Sequence, residues 1–238
     1  MKKPFQTYNG GKESDGTYQK IINQIPPHDL YIEPFFGNGA IYRYKKSAFI
    51  SSIGIDLDAA VINEWNRLSL DNLTLINTDA LLWLELFSSL ASILKNIGVR
   101  VLIYNDPPYP RHTWKNQTNK LYEHELMDSD HERLLNILSR INANVIISSY
   151  PNQLYSDLLK EWKTFTFQSQ TRSGTATEQI WMNYPEPKEL HDYSYIGNDY
   201  REREQLKGIV SRNVSKFKRL PDLQRNAIIQ QLQKEKIL

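Results

Sequence analysis

The residues best suited to chemistry follow an apolar run in the segment 103–110, which ends in Asp106-Pro107-Pro108-Tyr109. Transfer of a methyl group to an amine needs the nitrogen lone pair held in line with a sulfonium, and three prolines in four residues supply the rigidity. The Asp106 carboxylate and the Pro107 carbonyl could accept hydrogen bonds from that amine and stabilise the charge that develops on it. Tyr109 could offer its ring to a base flipped out of a duplex. The alternative is a proline-rich turn after a strand.

A glycine turn precedes this segment in the chain. Residues 31–40 predict a strand that runs into the turn and then into a helix. Gly37 and Gly39 would let the backbone pass close to a bound ligand. The third glycine of a dinucleotide-binding motif is missing, since residue 42 is Tyr, so an ordinary tight turn is the alternative. The predicted cofactor contacts from this turn are Glu33, Pro34, Phe35, Phe36, Gly37 and Gly39.

Two further carboxylates end predicted strands. Asp56 follows the second strand, where an α/β nucleotide site binds ribose hydroxyls, and we predict it as the ribose ligand. A helix N-cap is the other role for a carboxylate here, and it suits Asp58 better. Asp79 follows the third strand and could reach the adenine ring of the cofactor, or could equally cap the next helix.

Composition excludes several classes of mechanism. The chain of 238 residues has no cysteine, which excludes disulfides and attack through a thiolate, and therefore favours modification of an exocyclic amine over C5 of cytosine. The five histidines show no metal-ligand spacing, so we predict no metal and expect surface or loop positions for them. No apolar run could span a membrane and no secretory signal is recognisable, so we expect a cytoplasmic protein.

Short apolar runs alternate with longer mixed segments, which predicts an α/β fold with a Rossmann-like, mainly parallel sheet. No helix fits between the last two strands, so we expect an antiparallel hairpin joined by the polar segment 170–177. The predicted strands are 30–35, 50–55, 74–77, 100–105, 144–149, 163–169 and 178–184. The predicted helices are 58–67, 81–96, 128–141 with Asp128 as its N-cap, and 152–162.

The C-terminal part of the chain differs in charge from the rest. We divide the chain into a catalytic domain at 1–185, a linker at 186–197 and a basic helical extension at 198–238. Residues 200–238 hold ten Lys and Arg against four Asp and Glu, whereas the whole chain has a net charge of +2. We expect one helix capped by Asn198 or Asp199 and broken by Pro221, then a second from Asp222 to Lys236.

Together these segments resemble the Dam-like N(6)-adenine DNA methyltransferases, including short phage and mobile-element members. Residues 8–12, Tyr-Asn-Gly-Gly-Lys, are similar to the family's N-terminal element, and residues 33–39 to its cofactor loop. Residues 106–109 match its catalytic tetrapeptide, and residues 178–184 are similar to its terminal strand. The resemblance implies a seven-stranded methyltransferase sheet, S-adenosylmethionine as cofactor, and a flipped adenine in DNA as substrate. It also implies cofactor contacts from Tyr8, Gly10, Gly11 and Lys12.

One departure from this family concerns target recognition. Members usually insert a recognition domain between the third-strand acid and the tetrapeptide, but only 26 residues separate Asp79 from Asp106. DNA contacts must therefore come from other parts of the chain. Such contacts would bind phosphates and would not read the base sequence. The alternatives are an active-site lid for the loop 111–120, a hairpin tip for 170–175, and a solvated amphipathic helix for the extension. The predicted DNA contacts are Arg111, Trp114, Lys115, Lys120, Arg172, Arg201, Arg203, Lys207, Arg212, Lys216, Lys218 and Arg219.

The sequence thus favours a site-specific adenine methyltransferase of DNA, of the restriction-modification, phage-protection or solitary type. Its rivals are a methyltransferase acting on RNA or on the amine of cytosine, and a non-catalytic DNA-binding protein on a methyltransferase scaffold. The sequence predicts no oligomeric state.

Overall fold

The computed structural model describes residues 3–5, 10–13, 16–114, 124–171 and 174–235. The chain forms two compact units, Met1–Asp192 and Tyr193–Leu238. The first unit holds the sheet and its flanking helices, and the second holds two helices.

Seven strands and eight α-helices make up the described part of the chain. The strands are β1 (Leu30–Glu33), β2 (Ser51–Asp56), β3 (Leu73–Asn77), β4 (Val101–Asn105), β5 (Asn144–Ser149), β6 (Lys163–Thr171) and β7 (Gly174–Met182). The helices are α1 (Thr17–Ile22), α2 (Ala40–Tyr44), α3 (Ala59–Asn66), α4 (Ala80–Asn96), α5 (Asp128–Arg140), α6 (Gln153–Leu158), α7 (Tyr200–Arg219) and α8 (Asp222–Lys234).

The strands form one sheet in the order β3-β2-β1-β4-β5-β7-β6. The first five are parallel, and β7 runs antiparallel to both of its neighbours. This arrangement confirms the predicted Rossmann-like seven-stranded α/β sheet with a hairpin at one edge. The strand order reverses between β1 and β4, and ligands of such sheets bind beyond the carboxyl ends of the strands at that point.

The central strands and the helices that cover them form the core. Every residue of β4 is buried, as expected for a parallel strand covered on both faces. On one face, Leu84 of α4 and Leu138 of α5 pack in the same cluster as Ile103 of β4 and Trp181 of β7. These fully buried side chains hold the carboxyl ends of β1 and β4 at fixed positions.

Several predicted boundaries are wrong. The segment 170–177 is mostly strand, because β6 and β7 pair from Lys163 with Met182 as far as Thr171 with Gly174. Helix α6 is shorter than 152–162, and the short helix α1 was not predicted. Met127, not Asp128, is the N-cap of α5, and its backbone N–H donates to the Asp130 carboxylate at 2.9 Å.

The expectation of surface or loop histidines is wrong for His131, which lies in a helix, whereas His28 and His191 lie in loops but are buried. The rings of His28 and His191 are buried and stack with their centroids 3.8 Å apart. His131 is buried in α5, with Nδ1 3.0 Å from the Tyr155 hydroxyl. Burial lowers the pKa of His28 to about 2 and that of His131 to about 4, because the charged form loses its hydration. His112 and His124 are exposed.

The second unit consists of two helices without buried residues. The Asp199 carboxylate caps α7 by accepting from the Glu202 N–H at 2.9 Å, and Pro221 lies between α7 and α8, as predicted. Arg201, Arg212 and Lys216 lie 11 and four residues apart, which places them on one face of α7. No helix in the described residues is long and apolar enough to cross a membrane.

Candidate active site

A cleft of about 1060 Å³, including its open mouth, lies at the carboxyl edge of the parallel strands. One carboxylate follows or ends each of the four neighbouring strands β3, β2, β1 and β4, and all four line the cleft: Asp79, Asp56, Glu33 and Asp106. Apolar side chains, including Phe35, Phe36 and Leu81, complete its walls. The cleft is therefore partly apolar with a row of acceptors along the sheet edge.

The turn between β1 and α2 approaches the cleft through its backbone. Gly37 and Gly39 both adopt positive φ, 45° and 54°, which glycine tolerates best. A Cβ on Gly39 would lie 2.6 Å from Cζ2 of Trp65, so this position has no room for a side chain. The Trp65 indole N–H donates to the Gly37 carbonyl at 2.8 Å and fixes the turn. All six predicted residues of this turn, 33–37 and 39, line the cleft.

Asp56 binds the same turn from the neighbouring strand. Its Oδ2 accepts from the Gly37 N–H at 2.8 Å, and its Oδ1 accepts from the Asp58 N–H at 2.9 Å. Burial raises the pKa of Asp56, and the two backbone hydrogen bonds oppose that shift. A carboxylate oxygen has a second lone pair, so each can still accept from a ligand hydroxyl.

Asp58 and Asp79 both cap helices. The Asp58 carboxylate accepts from the Ala60 N–H at 2.8 Å, as the predicted N-cap of α3. Asp79 Oδ1 accepts from the Leu82 N–H at 2.8 Å and caps α4, while the residue also lines the cleft. Capping by one oxygen is compatible with a ligand on the other.

Glu33 lies deep in the cleft. The Tyr31 hydroxyl donates to Glu33 Oε2 at 2.7 Å, and the Lys45 ammonium lies 4.1 Å from the centre of the Tyr31 ring. Burial raises the pKa of Glu33 to about 8 and lowers that of Lys45 to about 7. A ligand that supplied further hydrogen-bond donors to Glu33 would favour its ionised form.

Asp106 is held by two side chains from other parts of the chain. The Lys12 ammonium lies 2.9 Å from Oδ1, and the Ser148 hydroxyl donates to the same oxygen at 2.8 Å. Among the described residues none donates a hydrogen bond to Oδ2, so this oxygen can accept from a ligand in the cleft. Burial raises the pKa of Asp106, Lys12 lowers it, and the charge of Glu178 raises it.

Tyr109 is buried beside the cleft residue Lys12. Its ring is 6% exposed, and its hydroxyl donates to Glu178 Oε2 at 3.1 Å. The Lys12 ammonium lies 4.8 Å from the ring centre, and the Tyr150 ring meets it edge to face. Asp106, Pro107 and Pro108 line the cleft, whereas Tyr109 does not. In this conformation the predicted open ring face of Tyr109 is instead covered.

The N-terminal element reaches the cleft through three of its predicted residues. Gly10, Gly11 and Lys12 line the cleft, and the Lys12 ammonium also donates to the Gly10 carbonyl at 3.2 Å. Tyr8, the fourth predicted residue, lies outside the described residues. Lys12 is 5% exposed, so its charge is balanced by buried carboxylates and not by solvent.

Two polar residues that hold Lys12 and Asp106 were not predicted from the sequence as site residues. Glu178 of β7 lies 3.6 Å from the Lys12 ammonium and accepts from the Ser169 hydroxyl at 2.6 Å. Ser148 of β5 binds Asp106. The only sequence signal for Glu178 is a charged residue in an apolar strand, and nothing local links it to residues 12 or 109.

The residues predicted to contact DNA differ in their exposure to solvent. Arg111 is exposed and pairs with Glu125 at 3.7 Å. Trp114 is instead buried, and its indole N–H donates to the Tyr109 carbonyl at 3.0 Å, so the ring is not presented to DNA in this conformation. Lys115, Lys120 and Arg172 lie outside the described residues. In α7, Arg201, Lys207, Arg212, Lys216, Lys218 and Arg219 are exposed and Arg203 is half-buried.

Comparisons with known proteins give matches among solved structures. No known family's sequence profile matches the chain. No curated protein matches its sequence. A SAM-dependent methyltransferase from Agrobacterium tumefaciens matches at 12% identity and a TM-score of 0.43, over 70% of this chain and 60% of that one.

Two further solved structures are named for other activities. An rRNA methylase from Streptococcus thermophilus matches at 11% identity and a TM-score of 0.37, over 69% of this chain and 92% of that one. Precorrin 8W decarboxylase from Methanobacterium thermoautotrophicum matches at 11% identity and a TM-score of 0.39, over 69% and 86% of the two chains. Such distant likeness leaves the reaction to be argued from this chain's own residues.

Proposed function

We propose that this chain is an S-adenosylmethionine-dependent methyltransferase that modifies the exocyclic amine of a flipped adenine in DNA. The observation that carries the proposal is the placement of Asp106. Its Oδ1 is held by Lys12 and Ser148, and Oδ2 is left to accept at the edge of a cleft lined by a glycine turn.

The residues of the cleft suit this cofactor. Asp56 can accept from ribose hydroxyls, and the Gly37–Gly39 turn gives its backbone close access to the amino-acid part of the ligand. Asp79 lies on the β3 side, where its second oxygen can accept from an adenine amine. When bound, S-adenosylmethionine supplies the methyl group as an electrophile on a sulfonium sulfur.

Asp106 and the two prolines would act on the substrate amine. Oδ2 of Asp106 would accept one amine N–H, which would orient the nitrogen lone pair and stabilise the positive charge that develops on nitrogen as the N–C bond forms, the methyl–sulfur bond breaks and S-adenosylhomocysteine leaves. The lysine on Oδ1 favours the ionised form that this role requires. The extra amine proton then leaves to water, so no dedicated general base is needed. An amine target also suits a chain without cysteine.

The choice of adenine in DNA is the finer part of the proposal. It is supported by the resemblance of the four motifs and by the row of exposed cations on α7, which suits phosphate contacts. RNA is the principal competing substrate, because contacts to phosphates alone do not distinguish it from DNA.

Labelled-methyl transfer followed by nucleoside analysis tests this choice. The purified chain is incubated with methyl-labelled S-adenosylmethionine and with equal amounts of unmethylated duplex DNA, single-stranded DNA or RNA. We expect label in N(6)-methyladenine, and from DNA alone. Label in N(4)-methylcytosine or in RNA would overturn the substrate assignment and keep the reaction class, whereas no cofactor binding in calorimetry would overturn both.

A further inference from the structure

Glu178 is a buried carboxylate that links three groups behind the cleft. It lies on β7, and only 6% of its surface is exposed. Its Oε2 accepts from the Tyr109 hydroxyl at 3.1 Å and lies 3.6 Å from the Lys12 ammonium, while its Oε1 accepts from the Ser169 hydroxyl at 2.6 Å. Glu178 does not line the cleft, and of its three partners only Lys12 does, so a ligand there meets Lys12 and not Glu178 itself.

We propose that Glu178 is a positioning residue, which fixes the Tyr109 ring and shares the Lys12 ammonium with Asp106. The inference rests on the proposed function, because it assigns Glu178 to the Asp106 site. Lys12 is the bridge, since it lies 2.9 Å from one carboxylate and 3.6 Å from the other. Two carboxylates around one ammonium leave the cluster with one net negative charge.

Two physical consequences follow from this arrangement. First, a Tyr109 that loses its acceptor can rotate, and the prolines before it lose a fixed neighbour. Second, the negative charge of Glu178 disfavours the ionised form of Asp106, and its pKa is raised in part for this reason. Removing the charge should therefore lower the pKa of Asp106, while removing the hydrogen bond should misplace Tyr109.

The substitution Glu178→Gln separates charge from shape. Gln is nearly isosteric, but it has one acceptor oxygen instead of two, so either the Tyr109 or the Ser169 hydroxyl loses its acceptor, and it leaves Lys12 to Asp106 alone. We expect the acid limb of the pH profile of kcat to move to lower pH, with kcat at neutral pH reduced about tenfold to a hundredfold by misplacement of the site. Glu178→Asp keeps the charge, so its acid limb should remain near that of the unchanged chain. Glu132→Gln, at an exposed residue of α5, is the matched control and should behave as the unchanged chain.

A double-mutant cycle with Tyr109→Phe tests whether Glu178 acts through the tyrosine. The phenylalanine lacks the hydroxyl that donates to Glu178. If the two residues act as a unit, their combined loss of kcat will be clearly smaller than the product of the single losses. Independent losses that multiply would show that Glu178 does not position Tyr109.

A titration without turnover keeps this inference separate from the proposed function. The carboxyl carbon of Asp106 is followed by NMR in carboxyl-labelled protein, and Asp106→Asn assigns its signal. A lower Asp106 pKa in Glu178→Gln than in the unchanged chain supports the inference, even if no methyl transfer is found. An unchanged Asp106 pKa with an unchanged pH profile overturns it, even if the chain proves to be a methyltransferase.

Discussion

The two edges of the parallel sheet use their charged groups differently. At the carboxyl edge, the carboxylates of Glu33, Asp56 and Asp106 line an open cleft. At the amino edge, Asp29 and Arg100 bind one another through two side-chain hydrogen bonds of 3.0 and 2.8 Å, just before β1 and β4. The carboxyl edge therefore presents hydrogen-bond acceptors to a ligand, whereas the charged groups at the amino edge bind each other.

We therefore assign the carboxyl edge of the strands to ligand binding and the amino edge to the stability of the fold. At the amino edge His191 is also fully engaged, because its Nε2 lies 2.9 Å from the Ser47 carbonyl and its ring stacks on His28. Both ring nitrogens of His191 are thus engaged within the protein. At the carboxyl edge, burial raises the pKa values of Glu33, Asp56 and Asp106, which is typical of groups kept for a ligand.

The glycine turn of the carboxyl edge should lose cofactor affinity on substitution. In Gly39→Ala the new Cβ would overlap the Trp65 ring, and the positive φ would be strained as well. We expect affinity for S-adenosylmethionine, measured by calorimetry, to fall at least about tenfold because the turn must move. Gly98→Ala is the matched control, since Gly98 has a φ of 82° but open space around it. Unchanged affinity in Gly39→Ala would remove the turn from the binding site.

At the amino edge, Asp29→Asn should cost stability without affecting the reaction. The Arg100 side chain and N–H lower the pKa of Asp29 to about 2, so its stabilisation is present above the ordinary value of 3.8 and is lost as pH falls towards 2. We expect chemical denaturation at pH 7 to show a loss of about 0.5–1 kcal/mol, because solvent screens this pair, and the difference from the unchanged chain to disappear as pH falls through and below about 2. A fall in kcat without a fall in stability would contradict the separation of the two edges.

Substitutions in α7, which belongs to the second unit, should have the weakest effect on the sheet and its cleft. Changing the four cations of one helical face to Gln should leave stability and cofactor affinity unchanged and should weaken DNA binding. The slope of log affinity against log salt should become shallower by about 0.9 for each phosphate that is no longer bound. The variant changes Arg201, Arg212, Lys216 and Arg219, and the control changes the exposed Arg67, Arg140, Lys160 and Lys163. Equal slopes in both variants would exclude this face from DNA binding.

The sequence predicted the sheet well because its signals are local. The buried strand Asn144–Ser149 was predicted with its observed bounds, since an apolar run between polar segments marks a strand covered on both faces. The ends of β6 and β7 were missed because their residues are Thr, Gln and Ser, which pair across an exposed hairpin without an apolar pattern. The cleft residues of the glycine turn and the tetrapeptide were found because they follow strand ends directly.

What could not be predicted depends on contacts between distant residues. Glu178 contacts Tyr109, which lies 69 residues away in the sequence, and Lys12, which lies 166 residues away (178 − 12). No pattern of neighbouring residues predicts either contact. The pairing of His28 with His191 is equally remote, which is why the burial of these two loop residues was not predicted. Trp114 was expected to contact DNA because it lies in a basic segment, but its indole finds a backbone acceptor at Tyr109.

The role of Asp106 at the carboxyl edge can be tested by removing its carboxylate. Methyl transfer from labelled S-adenosylmethionine to unmethylated DNA should be measured for the unchanged chain, Asp106→Ala, and Asp71→Ala at an exposed turn. We expect Asp106→Ala to bind the cofactor but to lose at least about a hundredfold in kcat, as when a group that stabilises developing charge is removed. Asp71→Ala should remain fully active. An Asp106→Ala variant that transfers methyl groups at the rate of the unchanged chain would contradict a role of Asp106 at the substrate amine.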